Sequence, residues 1–204
     1  MIVAVIGVLA TAGAVAAHAP AHAPTVDTPR PRGLAGQLLV ATDGLRDPRF
    51  VRTVIYIVRH DPTGALGLVV NRPLGTTPLA RLLDNLGRSS EGVSGTLRLH
   101  YGGPVEPTSG FVLHTAEWTG EDTRIVQGGV AFTTDPAIFD AVARGAGPRR
   151  LLVALGYAGW SPGQLEGEMD GGAWITVTAD EALIFDEDAA TKWDRAMARR
   201  KIVL

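Results

Sequence analysis

Residues 151–168, LLVALGYAGWSPGQLEGE, join an apolar run to the pattern G-x-S-x-G at Gly159–Gly163. In α/β-hydrolases this pattern forms the nucleophile elbow, in which a strand enters a sharp turn and a helix follows. The stretch therefore decides whether Ser161 is a catalytic nucleophile and the chain a hydrolase.

Pro162 argues against that assignment. The elbow takes one oxyanion-hole donor from the backbone N–H of the residue after the nucleophile, and proline has no N–H. A residue before proline also favours extended backbone, whereas the elbow serine is strained. Hydrolases of this fold place their histidine last, but no histidine follows His114. We therefore expect Ser161 not to be a nucleophile.

The same residues are typical of a helix start. Ser161 followed by Pro162 and Gln164 matches the capping box S-x-x-Q, with Pro162 in the first turn. Leu165 and Met169 stand four residues apart and so share a helix face. The pattern predicts a short helix that begins at Ser161 and packs on a sheet.

Composition narrows the class of protein. The chain has 204 residues, 46% hydrophobic and 20% charged, which indicates one globular domain with a short extension. It has no cysteine, which excludes disulfides and thiol chemistry, and its net charge of −2 gives no general attraction to nucleic acid or anionic membranes.

The extension is predicted to occupy residues 1–33, an apolar segment and a Pro/Ala-rich linker, before a single domain at 34–204. Its apolar run is shorter than the roughly 20 residues of a transmembrane helix, so no such helix is expected. Ala17–Ala19 offers a signal-peptide cleavage pattern, although no basic residue precedes it. A cleaved signal, a weak anchor and a mis-assigned start all remain open.

Periodicity predicts strands that occur in clusters, with helices between them. Helices are predicted from Thr77-Pro78, with Leu79, Leu82, Leu83 and Leu86 on one face, from Thr134–Pro136, after Ser161, and over 188–200. The predicted strands are 36–41, 51–60, 65–71, 97–101, 110–115, 123–127, 129–133, 151–155, 173–179 and 182–185. Such clustering indicates an α+β fold with a mixed, largely antiparallel sheet and about four helices.

Three stretches together, residues 38–73, 101–114 and 155–174, resemble the YqgE/AlgH family of bacterial proteins over about 34–195. The resemblance implies a bifurcated, barrel-like sheet and a cytoplasmic protein, or a periplasmic one if residues 1–19 act as a signal peptide. Members are linked to regulation of alginate production and are sometimes labelled transcriptional regulators. No biochemical activity is established for the family.

Polar and aromatic residues near predicted strand ends are the candidate ligand-binding residues. Arg72 closes a strand, where its guanidinium can hold a carboxylate or phosphate. Alternatively, Arg72 or Arg52 pairs with Asp47 inside the fold. The full candidate set is Asp47, Arg52, His60, Asn71, Arg72, His114, Tyr157 and Trp160.

No metal or cofactor is predicted. His60, His100 and His114 lack the spacing that places two ligands on one face. Gly102-Gly103 leads into a strand, unlike a phosphate-binding loop, and is predicted to form a turn. Glu166 and Asp170 are expected on a solvated helix face, and the basic residues at the end of the last helix complement its dipole.

Three functions remain open. The favoured one is a non-enzymatic regulatory or binding protein that holds a small molecule or a protein partner in a pocket at the sheet rim. The alternatives are a hydrolase-like enzyme that uses His60 or His114, and a DNA-binding transcriptional regulator, although nucleic acid is disfavoured by the charge. The sequence does not specify the ligand or the oligomeric state.

Overall fold

The computed structural model describes residues 33–200. The predicted N-terminal apolar segment, its cleavage pattern and residues 201–204 lie outside the described residues. Within the described range, no helix has the length and apolar character needed to cross a membrane.

The described chain forms ten strands, five α-helices and one short 3₁₀ turn at Pro48–Phe50. The strands are β1 Gln37–Ala41, β2 Val54–Asp61, β3 Gly64–Val69, β4 Pro73–Pro78, β5 Thr96–Tyr101, β6 Val105–Thr115, β7 Arg124–Gln127, β8 Val130–Thr133, β9 Leu151–Trp160 and β10 Trp174–Thr178. The helices are α1 Leu79–Asn85, α2 Ala137–Ala143, α3 Gln164–Asp170, α4 Glu181–Phe185 and α5 Ala189–Ala198.

One continuous sheet joins eight strands in the order β10-β1-β2-β3-β9-β6-β8-β7, and the hairpin β4–β5 branches from it at β9. Only β5 and β9 run parallel; the other described pairs are antiparallel. The α+β class and the bifurcated, largely antiparallel sheet are therefore confirmed.

The sheet divides along one edge of β9. Val153–Leu155 pair with β5, whereas Ala158–Trp160 pair with β3. The predicted turn at Gly102-Gly103 passes through this fork, and the Gly102 N–H donates to the Leu155 carbonyl at 2.8 Å. A Cβ on Gly103 would lie 2.0 Å from the Tyr157 carbonyl carbon, so only glycine fits there.

Three clusters of buried residues hold the layers together. Leu183, Ile184 and Trp193 of α4 and α5 cover one face of the main sheet. Leu165 of α3 packs with Trp160 and Trp174 on the other face. A third cluster joins α1 and α2 to strands β6 and β9 and contains Leu79, Leu83, Val112, Ile138, Phe139 and Val153.

Two predicted elements were wrong. Residues 182–185 form helix α4 rather than a strand, because the Asp180 carboxylate accepts from the Leu183 N–H at 2.7 Å and caps the helix. Thr77 is not a helix cap. It belongs to β4, a strand that the prediction missed, and pairs there with Leu97 of β5. Prolines at both ends of β4 concealed it, and α1 begins directly after Pro78.

Ser161 does not cap α3 with its side chain, so that part of the prediction was also wrong. Ser161 to Gln164 form a type II β-turn closed by the Gln164 N–H and the Ser161 carbonyl at 3.0 Å, with Gly163 at φ 73° and ψ −6°. The other half of the capping box is present, since the Gln164 side-chain oxygen accepts from the Ser161 N–H at 3.1 Å. The turn postpones the helix start to Gln164.

Candidate functional site

Helix α3 is fastened to the sheet by the carboxylate of Glu168. One oxygen accepts from the indole N–H of Trp160 at 2.9 Å and of Trp174 at 2.8 Å. The other oxygen accepts from the Gln164 amide at 2.8 Å. Trp160 is the last residue of β9 and Trp174 the first of β10. The carboxylate therefore joins the ends of two strands that are remote in the sheet order.

A cavity of about 140 Å³ lies beside this carboxylate, and we call it the indole pocket. Its aromatic rings stand nearly perpendicular to their neighbours: Phe50 and Trp174 have centroids 5.8 Å apart at 69°, and Trp160 and Trp174 have centroids 6.1 Å apart at 81°. The main lining residues are Asp47, Phe50, Trp160, Gln164, Glu168 and Trp174.

Asp47 lines the pocket and caps the 3₁₀ turn. Its carboxylate accepts from the Arg49 backbone N–H at 2.9 Å and from the Arg49 guanidinium at 2.7 Å. These hydrogen bonds hold the pKa of Asp47 below its usual range. Asp47 thus pairs with Arg49, and the predicted pairing with Arg72 or Arg52 does not occur.

Arg52, Asn71 and Arg72 form a separate group. The Asn71 amide accepts from the Val54 N–H and donates to the Arg52 carbonyl, each at 2.9 Å. Arg72 donates to the Val51 carbonyl at 2.8 Å. The group therefore fixes the chain where β2 starts.

Arg52 also attaches helix α5. Its guanidinium bonds both oxygens of Asp194, the shorter at 2.7 Å, and its Cζ lies 3.9 Å from the centre of the Trp193 ring. Two further arginines are ion-paired, Arg195 of α5 with Asp186, and Arg199, the residue after α5, with Asp180. These charged side chains in and next to α5 are therefore neutralised by ion pairs within the fold.

His60 lies on the α3 side of the sheet. Its Nδ1 accepts from the Leu34 N–H at 2.9 Å, so Nε2 carries the proton that it donates to Glu166 at 2.8 Å. Backbone hydrogen bonding at Glu166 and then the contact with His60 lower the pKa of Glu166. Glu166 lies on a solvated face of α3, as predicted, and its exposed carboxylate also bridges α3 to β2.

The other two histidines of the described range, His100 and His114, are buried apart from the pocket. His114 is fully buried, donates from Nδ1 to the Thr115 carbonyl at 3.0 Å and stacks edge-on against Trp118. Burial lowers its pKa and brings that of His100 to about 4, so both are neutral at physiological pH. Within residues 33–200 no cluster of His, Cys, Asp or Glu is placed to hold a metal ion.

Tyr157 lies on the opposite face of β9 from the pocket, where its ring packs edge-on against Phe111 at 5.5 Å. Asp47 and Trp160 are thus the candidates that meet at the indole pocket. Sequence reasoning missed Phe50, Glu168 and Trp174 there. The available signal was that Gln164 and Glu168 stand four residues apart on α3, the spacing of side chains that interact on a helix.

The AlgH-like family model matches residues 38–204. A UPF0301 protein of Caulobacter vibrioides is 47% identical over 168 residues, which cover 81% of this chain and 86% of the relative. A UPF0301 protein of Methylococcus capsulatus is 42% identical over 163 residues, which cover 80% of this chain and 89% of the relative.

The similar solved structures include the following two. The solution structure of the AlgH protein from Pseudomonas aeruginosa aligns with a TM-score of 0.70 and 37% identity, covering 85% of this chain and 92% of that one. A crystal structure of a protein from Corynebacterium diphtheriae aligns with a TM-score of 0.65 and 19% identity, covering 83% and 88%. The second likeness concerns the fold alone.

Proposed function

Because this chain belongs to the AlgH-like family, for which no biochemical activity is established, we propose that it is a non-enzymatic regulatory protein that binds a small ligand in the indole pocket. The pocket itself supports this proposal. Small-molecule sites are concave, mostly aromatic or apolar, and contain a few fixed polar groups. At about 140 Å³ the pocket is smaller than the roughly 300–1,000 Å³ of drug-sized sites, so it suits a very small molecule or one group of a larger one.

The observation that carries the proposal is the position of Glu168. Two indole N–H groups and one amide hold its carboxylate between aromatic walls. The polar group is thus fixed before any ligand arrives, which reduces the ordering cost of binding. A carboxylate needed only to attach α3 would not require open space beside it.

The test is a fragment screen followed by NMR of the tryptophan indole N–H signals. Trp160 and Trp174 report on the pocket, whereas Trp118 and Trp193 pack elsewhere and serve as internal references. We expect fragments that shift the first two signals and leave the other two unchanged. The absence of any such fragment from a folded sample would remove the proposal.

Matched variants separate the pocket from the rest of the core. Phe50→Leu removes a half-buried pocket ring, and Phe132→Leu removes a half-buried ring that stacks on Phe111 away from the pocket. Binding of each fragment should weaken in Phe50→Leu and persist in Phe132→Leu. Equal weakening in both would indicate a general loss of packing.

We further propose a cytoplasmic location, which the resemblance to the AlgH-like family supports. Export to the periplasm is the alternative if residues 1–19 act as a signal peptide. Intact mass of the protein purified from its own cells tests this, because removal of those residues shortens the chain by a known mass.

A further inference from the structure

We propose that the ligand of the indole pocket carries an alkylated ammonium group, such as trimethylammonium. This inference rests on the proposed function, since it names the chemistry that the same pocket recognises. Three features carry it: the orientation of the rings, the charge of Glu168, and the small number of free acceptor sites on the carboxylates.

The rings of Phe50, Trp160 and Trp174 are oriented in different directions, and the Arg49 guanidinium carbon already lies 5.9 Å from the centre of the Phe50 ring, as a cation over an aromatic face. Each face of an aromatic ring is the negative part of its quadrupole and attracts a cation within about 6 Å of the ring centre. Interplanar angles of 69° and 81° let neighbouring rings form adjoining walls instead of a parallel stack. Such walls suit a compact, roughly spherical cation.

Glu168 gives the pocket its charge. Its carboxylate bonds to three neutral donors, the two indoles and the Gln164 amide. Asp47 and Arg49, the other charged residues that line the pocket, bond to one another and offset each other's charge. The described lining therefore has a net negative charge, which favours a cation over a phosphate or carboxylate.

The hydrogen bonds select an alkylated cation. A primary ammonium has three donors that must be satisfied when it leaves water. The two oxygens of Asp47 accept four hydrogen bonds from Arg49, and those of Glu168 accept three, so one acceptor site remains free on Glu168, fewer than the three that a primary ammonium requires. A trimethylammonium group has no N–H and needs no acceptor, so charge and methyl contact with the rings suffice to hold it.

The test compares choline with 3,3-dimethylbutan-1-ol, a neutral molecule of nearly the same shape. Titration into the full-length protein is followed through the indole N–H signals of Trp160 and Trp174. We expect choline to bind about tenfold more tightly than the alcohol, the range for a cation over partly desolvated rings. Equal affinity would overturn the inference.

Two carboxylates on the same helix provide the matched variants. Glu168→Gln removes the charge from the pocket and should weaken choline binding about tenfold, while Glu166→Gln removes a charge that faces His60 and should leave it unchanged. If Glu168→Gln does not fold, Phe50→Leu replaces it, with Phe132→Leu as its control. Equal effects within either pair would contradict the inference.

A second arm identifies the source of the cation. Choline represents a free small molecule, and a short peptide with N-trimethyl-lysine represents a modified protein; binding of either supports the chemistry. If neither moves the two indole signals but neutral fragments do, the inference fails and the proposed function stands. If no probe of any class moves them, both fail.

Discussion

Lys192 has a fully buried side chain. Its ammonium donates to the carbonyls of Val70 at 3.0 Å, Ile184 at 2.8 Å and Asp186 at 3.2 Å. The first carbonyl follows β3 and the others end α4, so one side chain of α5 joins three segments. Burial is costly for a cation, and these bonds offset part of that cost.

Replacement of Lys192 by methionine should destabilise the protein by about 3 kcal/mol at neutral pH, because the carbonyls lose charged donors while the apolar stem is kept. Urea unfolding measures the change. Arg81→Met, on the exposed face of α1, is the control and should change stability by less than about 0.5 kcal/mol. A Lys192→Met protein as stable as the control would contradict the role assigned to these bonds.

The same lysine predicts a pH dependence. Burial lowers the pKa of Lys192 from 10.5 to about 8 against the opposing charge of Asp186, with Arg195 and Arg98 lowering it further. Between those two pH values the unfolded chain holds a proton that the folded chain has released, so a rise in pH favours folding.

The free energy of unfolding of the wild-type protein should therefore rise relative to that of Lys192→Met from about pH 8 to pH 10.5. Below about pH 7 the difference between the two proteins should be constant. Parallel urea curves across this range measure it. A constant difference throughout would show that the folded pKa of Lys192 is not lowered.

At the scale of elements, replacement of glycine by alanine should have opposite effects on stability in the turn before α3 and inside α3. Gly163 has a φ of 73°, where an alanine is strained, so Gly163→Ala should destabilise by about 1 kcal/mol. Gly167 lies inside α3 with open space where a Cβ would go, so Gly167→Ala should stabilise by about 0.5–1 kcal/mol. Thermal unfolding of the two variants decides, and effects of the same sign would contradict the turn geometry.

The spacing of apolar residues along the chain predicted the helices whose position is determined by neighbouring residues. Leu79, Leu82 and Leu83 marked the face of α1, and Leu165 and Met169 that of α3, because helical spacing alone places them on the core. The pattern failed at 182–185, where four residues suit a buried strand or a buried helix equally. The Asp180 cap decided between them, and its bond depends on backbone already turned into a helix.

The candidate site was less predictable than the fold. Trp160 ends β9 and Trp174 begins β10, and their contact depends on a sheet whose strand order is not the chain order. Arg52 was expected near Asp47, but α5 returns from the far end of the chain and brings Asp194 to it. Pairings of this kind depend on topology, which residue spacing does not contain.

For the whole molecule, the fork at β9 connects two parts of the sheet. Strand β5 pairs with one edge of β9. The chain then turns at Gly102-Gly103, and β6 pairs with the other edge of β9. Val69 bonds through its N–H to the Gly102 carbonyl at 3.0 Å, so the fork also holds β3. The indole pocket lies just beyond it, since Pro104 lines that pocket.

Gly103→Ala should therefore disrupt the molecule as a whole. Its Cβ would lie 2.0 Å from the carbonyl carbon of Tyr157, and backbone on both sides is fixed by the sheet, so the strands must separate. We expect a loss of about 3 kcal/mol or more, with the Trp160 and Trp174 signals shifted because Pro104 moves. Gly110→Ala on β6 is the control: no atom lies within 4 Å of its added Cβ, and it should leave both stability and signals nearly unchanged. Chemical unfolding with NMR of the indole groups measures both effects, and a Gly103→Ala protein that matched the control would mean that the fork does not hold the two parts together.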